Sequence, residues 1–170
     1  DKQGDISGVT LTQVTAESTE TGWKYQHVDV DLNQPLKRSA TITIRSTGAE
    51  PSRSVDTWSL AAFRELEDAL LRLRFNHLDV GLIILKTKGS VEDVLTHDKW
   101  VLENAANDWF INEIRLFQTR TLRKLDNMAK SMYALIENGS CFGGSLFELT
   151  LSADRSYMFL DDDGENSVTL

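Results

Sequence analysis

Residues 134–159 read ALIENGSCFGGSLFELTLSADRSYMF. A short apolar run, Tyr133–Ile136, enters a turn built on Asn138, Gly139, Gly143 and Gly144. A helical pattern then runs over Gly144–Leu151 and carries one acid, Glu148, near its start. A second apolar run follows at Ser156–Leu160. A strand that feeds a glycine turn at a helix start leaves main-chain N–H groups without helical partners, aimed at whatever lies above them. A carboxylate one turn along acts on the same bound group. The segment therefore predicts an anion hole of unpaired amides beside a general base, Glu148.

Upstream, the hydrophobic periodicity alternates between strand and helix. Trp23–Leu32 alternates with a slip in the middle, Asn33–Lys37 turns at Pro35, and Ala40–Ile44 alternates cleanly, so the two runs predict a hairpin. After a loop over Ser46–Asp56, Leu60, Phe63, Leu66, Leu70 and Leu73 recur at helical steps, with Asp56 or Ser59 as the cap. Gly81–Lys86 is a continuous apolar run, as expected of a strand covered on both faces. Gly89–Asp98 reads as a polar loop. Asn107 and Asp108 offer caps to a helix through about Met128, lined by Phe110, Ile114, Phe117, Thr121 and Leu125. The order is strand, strand, helix, strand, helix, strand, helix, strand, which argues an α/β fold with parallel pairing. Residues 1–22 form a polar lead-in, with at most a weak strand at Val9, Leu11 and Val14, and residues 23–170 form one domain.

Composition narrows the function classes. The 170 residues are 41% hydrophobic and 26% charged, which suits one soluble globular domain. A net charge of -8 repels phosphate backbones, so no nucleic-acid partner is expected, although a local site can still take an anionic ligand. No stretch approaches the roughly 20 apolar residues that span a bilayer, so no membrane partner is expected. A single cysteine, Cys141, excludes an internal disulfide and suits a reducing, cytoplasmic setting. There is no dinucleotide fingerprint and no phosphate-binding lysine loop. The start at Asp1 and the strand-like Val168–Leu170 lead to the expectation that the chain is a piece of something longer.

At the glycine turn the sequence resembles the crotonase (enoyl-CoA hydratase/isomerase) superfamily. The matching residues run Gly139-Ser-Cys-Phe-Gly-Gly-Ser-Leu-Phe-Glu148-Leu149, then Ala153-Asp154-Arg155. Phe63-Arg-Glu-Leu-Glu-Asp-Ala-Leu resembles the family's first helix and Gly81–Lys86 the strand after it. Three details resemble a subgroup, the ring-cleaving lyases of aerobic benzoyl-CoA degradation: the glycine turn is one residue longer than in ordinary hydratases, the run Glu-Asn-Gly-Ser-Cys-Phe is idiosyncratic, and SADRSYMF at Ser152–Phe159 is typical. The resemblance implies a crotonase-like spiral of β-β-α units, C-terminally truncated. It implies an acyl-CoA substrate, no separate cofactor because CoA belongs to the substrate, no metal, and a homo-oligomer in the full-length parent.

By the same resemblance, Glu148 is the catalytic glutamate and Gly144 the anion-hole amide, although counting back from Glu148 selects Ser145. Gly143 lies beside the substrate, and CoA is expected along Arg53–Trp58, with Arg53 and Thr57 as contacts. The family's other amide donor follows the strand that Gly81–Lys86 resembles; the Ala-Gly-Asp signature is absent there and that donor stays unassigned. A second carboxylate is expected beyond Leu170, so the fragment alone is expected to be inactive. The implied reaction opens the oxygenated ring of an epoxy- or dihydrodiol-benzoyl-CoA. Enoyl-CoA hydration or isomerisation and a non-catalytic crotonase-like module remain as alternatives.

Other residues have plainer readings. Cys141 has no histidine near it in sequence, and His27, His77 and His97 show no ligand spacing. His97-Asp98 sits in the loop that would cover the site. Asp161–Glu165 reads as a solvated acidic turn, and Asn138-Gly-Ser as a coincidental glycosylation match.

Overall fold

The computed structural model describes residues 8–160 and 167–169. Its frame is one seven-stranded sheet whose spatial order follows the chain: β1 Glu17–Ser18, β2 Gly22–Lys24, β3 Val28–Leu32, β4 Ser39–Arg45, β5 Leu82–Lys88, β6 Ser131–Ile136 and β7 Arg155–Met158. The first four strands pair antiparallel, and β4 through β7 pair parallel. The predicted hairpin is present, with Val28 opposite Ile44 and Leu32 opposite Ala40. The slip in the Trp23–Leu32 alternation is a real break: Tyr25–His27 separates β2 from β3. The weak strand considered at Val9–Val14 is absent, because that segment has no sheet neighbour; pairing begins at Glu17. The acidic turn at Asp161–Glu165 lies outside the described residues.

Among the described residues four α-helices accompany the sheet: α1 Trp58–Asn76, α2 Val91–Asn104, α3 Trp109–Leu125 and α4 Glu148–Ser152. In α1, Phe63, Leu66, Leu70 and Leu73 are buried against β3 and β4, and α3 packs across α1. The cap proposed from Asp56 or Ser59 is not made; Thr57 holds the capping position without a side-chain bond. Asp108 does cap α3, accepting from the Phe110 and Ile111 amides at 2.8 and 3.2 Å. β5 is buried on both faces through Ile83, Ile84 and Leu85, as a central parallel strand should be.

Two expectations fail near the glycine turn. Gly89–Asp98 is not a loop: α2 starts within it, at Val91. Its core face is thin, only Val94, His97 and Val101 being buried, so periodicity alone gave a weak signal. The capping pattern was legible, since Ser90 accepts from the Glu92 amide at 3.1 Å and Asp93 stands three residues on. The single helix expected over Gly144–Leu151 is two pieces, a 3-10 turn at Gly144–Leu146 followed by α4.

Candidate active site

Gly143 and Gly144 emerge from Phe142, whose ring is fully buried and anchors the turn in the core. A Cβ added at Gly143 would meet Val91 Cγ1 at 2.7 Å, so this glycine lets α2 press against the turn. Gly144 has φ +50°, and a Cβ there would meet Asp98 Oδ2 at 2.2 Å. The absent side chain at Gly144 thus leaves a space, and the carboxylate of α2 fills it.

The amides at this turn are paired, which corrects the expected open anion hole. Thr169 forms a parallel bridge with Gly143; its N–H donates to the Phe142 carbonyl at 3.0 Å, and its own carbonyl takes the Gly144 N–H at 3.2 Å. The Ser145 N–H donates to Asp98 Oδ2 at 2.6 Å. The first is a main-chain ladder bond. The second is a charge-assisted bond to a side chain that can rotate away. Of the two positions that the sequence left open for the donor, Ser145 therefore has the amide that a ligand can take over without breaking a strand bridge.

Asp98, Gly144, Ser145 and Glu148 line one cleft of about 1000 Å³. Its apolar walls come from Leu95 and Val101 of α2 and Leu122 of α3, and its charged lining sets Lys99, Arg115 and Arg123 among Glu103, Asp126 and the two carboxylates already named. Glu148, the first residue of α4, is exposed and faces this cleft. Burial pushes the Asp98 carboxyl above its usual range, while the Ser145 amide and the neighbouring His97 pull it down.

The orientation of Asp98 is set one residue earlier. His97 turns inward, where its Nε2 donates to the Ala49 carbonyl at 2.9 Å and its ring lies 5.2 Å from that of Trp58. Adjacent positions on a helix point about 100° apart. With His97 fixed in the core, Asp98 is aimed at the glycine turn.

A benzoyl-CoA-dihydrodiol lyase from Aromatoleum evansii is 39% identical over 178 residues, an alignment that takes in 100% of this chain and 32% of the relative. Two solved enoyl-CoA hydratases share the fold. The one from Shewanella pealeana has a TM-score of 0.55 at 14% identity, over 78% of this chain and 46% of its own; the one from Bacillus anthracis has 0.52 at 15%, over 78% and 47%. The chain has a crotonase-like fold. It spans about a third of the curated relative's length and about half of each solved crotonase chain. No protein-family model matches it.

The crotonase resemblance named residues that the structure brings together only in part. Glu148, Gly144 and Ser145 share the cleft, and Gly143 is buried beneath it. Arg53 and Thr57 do not line it. Arg53 is paired with Asp108 at 2.5 Å and lies over the Phe110 ring, drawn there by the capping carboxylate of α3. Thr57 is buried at the head of α1. Cys141 is fully buried, its amide donating to Thr87 Oγ1 at 2.8 Å, and burial raises its thiol pKa, as for a packing cysteine. Among the described residues no group of three or more His, Cys, Asp or Glu side chains is arranged to hold a metal ion, and no helix is long and apolar enough to cross a membrane. The residue that sequence reading undervalued is Asp98, placed in a covering loop rather than on a helix.

Proposed function

We propose that this chain forms part of a crotonase-superfamily lyase acting on a CoA thioester, and that its substrate is an epoxy- or dihydrodiol-benzoyl-CoA whose oxygenated ring is opened, with water as co-reactant, to an aliphatic semialdehyde thioester and formate. The observation that carries the reading is the shared cleft: the Ser145 amide already binds an anionic oxygen, and Glu148 stands on the same wall. An amide so placed stabilises the oxyanion that develops on a thioester carbonyl when charge is pushed into it. Gly144 supplies the space for that carbonyl to approach. Glu148 moves a proton or orients water at the bound ring. The ring-cleaving reaction, rather than simple hydration, is favoured by the 39% identity to the lyase. CoA enters as part of the substrate, so the reading needs no separate cofactor.

Glu148→Gln in the full-length protein tests it. The amide keeps the size of the acid but cannot accept a proton, so turnover should fall by about 10²–10⁴-fold while benzoyl-CoA binding is retained. Unchanged turnover would remove Glu148 from the mechanism. Product analysis with ring-epoxidised benzoyl-CoA against crotonyl-CoA separates ring cleavage from hydration, since only the former releases formate.

A further inference from the structure

We propose that Asp98 is a latch on the candidate site: its carboxylate holds the Ser145 amide while no ligand is bound, and the carbonyl oxygen of an incoming acyl thioester displaces it. The proposal rests on the thioester reading above. Three observations converge on it. Asp98 Oδ2 accepts from the Ser145 N–H at 2.6 Å, the position that an oxyanion accepting from that amide would take. The carboxylate reaches that amide only because residue 144 has no side chain, as a Cβ there would lie 2.2 Å from the same oxygen. Asp98 and Ser145 both border the open cleft, so the displaced carboxylate has somewhere to go.

The chemistry of the exchange is asymmetric. A partly buried carboxylate on an amide is a stronger ligand than a neutral ground-state carbonyl and a fair match for an oxyanion. The latch therefore competes with the ground state more than with the transition state, which is the direction that favours turnover over tight substrate binding. Leu95, one turn before Asp98 on α2, packs against the same glycine with its Cδ2 at 3.2 Å from the added Cβ position. The latch is thus seated by a packed helix and is not a surface side chain that reached the amide by chance.

Competition for one oxygen position is testable with a pair of probes that differ only in that oxygen. Benzoyl-CoA has the carbonyl; S-benzyl-CoA, the thioether, lacks it. Binding of each to the full-length protein is measured by titration calorimetry for wild type, Asp98→Ala and Asp98→Asn. Removing the latch should tighten benzoyl-CoA by about tenfold and leave S-benzyl-CoA unchanged. Asp98→Asn keeps the volume and a neutral acceptor, so it should lie between, and it serves if the alanine variant folds poorly. An equal change for both probes, or weaker binding of benzoyl-CoA by both variants, overturns the latch and leaves the thioester reading standing. Failure of wild type and both variants to bind benzoyl-CoA overturns the thioester reading and the latch with it.

Discussion

On the antiparallel side of the sheet, Trp23 Nε1 donates to the Tyr25 hydroxyl at 3.0 Å, and that hydroxyl donates to Asp68 at 2.6 Å. Glu65 accepts from the His27 amide at 2.7 Å, and Arg45 joins Asp29 to the Tyr25 and Gln26 carbonyls. These networks tie the antiparallel strands to one another and to α1, away from the cleft that Asp98 borders. On the parallel side, Asp98 and the Ser145 amide also satisfy one another, but at the edge of an open cleft and across a gap that only a glycine leaves. The contrast separates polar groups that specify the fold from polar groups that can exchange partners. A hydrogen bond with nothing to replace it is structural, whereas one that a ligand oxygen can reproduce is a candidate for function.

The largest effect on stability is expected from breaking the antiparallel side. Tyr25→Phe removes the acceptor of Trp23 Nε1 and the donor to Asp68, and should destabilise the fold by about 3 kcal/mol in urea unfolding. Benzoyl-CoA affinity should not change. If affinity falls with stability, the two sides are not separable and the contrast fails.

A pH titration gives the next largest effect. Burial, then the charges of Arg45 and His97, hold His27 at about 4, below its ordinary 6.5. The unfolded chain takes up the proton near 6.5 and the folded one does not until about 4, so stability present above pH 6.5 is lost as the pH falls toward 4. From pH 7 to pH 5 this histidine should cost about 2 kcal/mol. His97, lowered by burial, adds to the slope; Glu65 and Asp98, raised by burial, oppose it. Comparison with His27→Gln over the same interval isolates His27, and an identical slope in the variant would show that its burial is not what the titration reports.

The smallest stability effect should come from Gly144→Ala. A left-handed φ costs an alanine about 1 kcal/mol, and the carboxylate of Asp98 can rotate away from the new methyl. Benzoyl-CoA binding should nevertheless weaken by about tenfold, because the methyl occupies the approach to the Ser145 amide. A large loss of stability with normal binding would reassign Gly144 to packing alone. The expected ratio of effects is the reverse of that for Tyr25→Phe, which makes the two variants a matched pair.

Much of this architecture follows from local rules. The alternation of Val28 and Val30 against Ile42 and Ile44 fixes the hairpin register, and the apolar run at Ile83–Leu85 marks a strand covered on both faces. Asn138, Gly139, Gly143 and Gly144 mark the turn, and Glu148 follows it one turn on, so the crotonase resemblance was legible there. Residues 91–104 escaped because a helix with three buried positions looks like a polar loop when periodicity is the criterion. Arg53, expected along the CoA, pairs in the structure with Asp108, 55 residues away in the chain.

Side-chain periodicity and backbone turns are properties of neighbouring residues, so the amino-acid order alone settled the strands β3 to β7, the helices α1 and α3, the glycine turn and the acid beside it. Which group meets each amide of that turn is a property of distant elements. Asp98 reaches Ser145 across 47 residues because His97 is anchored to Ala49 and residue 144 has no Cβ. The Gly144 amide is taken by Thr169 because the returning chain bridges Gly143. An amide carries no sequence signal for its partner; only the folded chain chooses between a carbonyl that stays and a carboxylate that can leave.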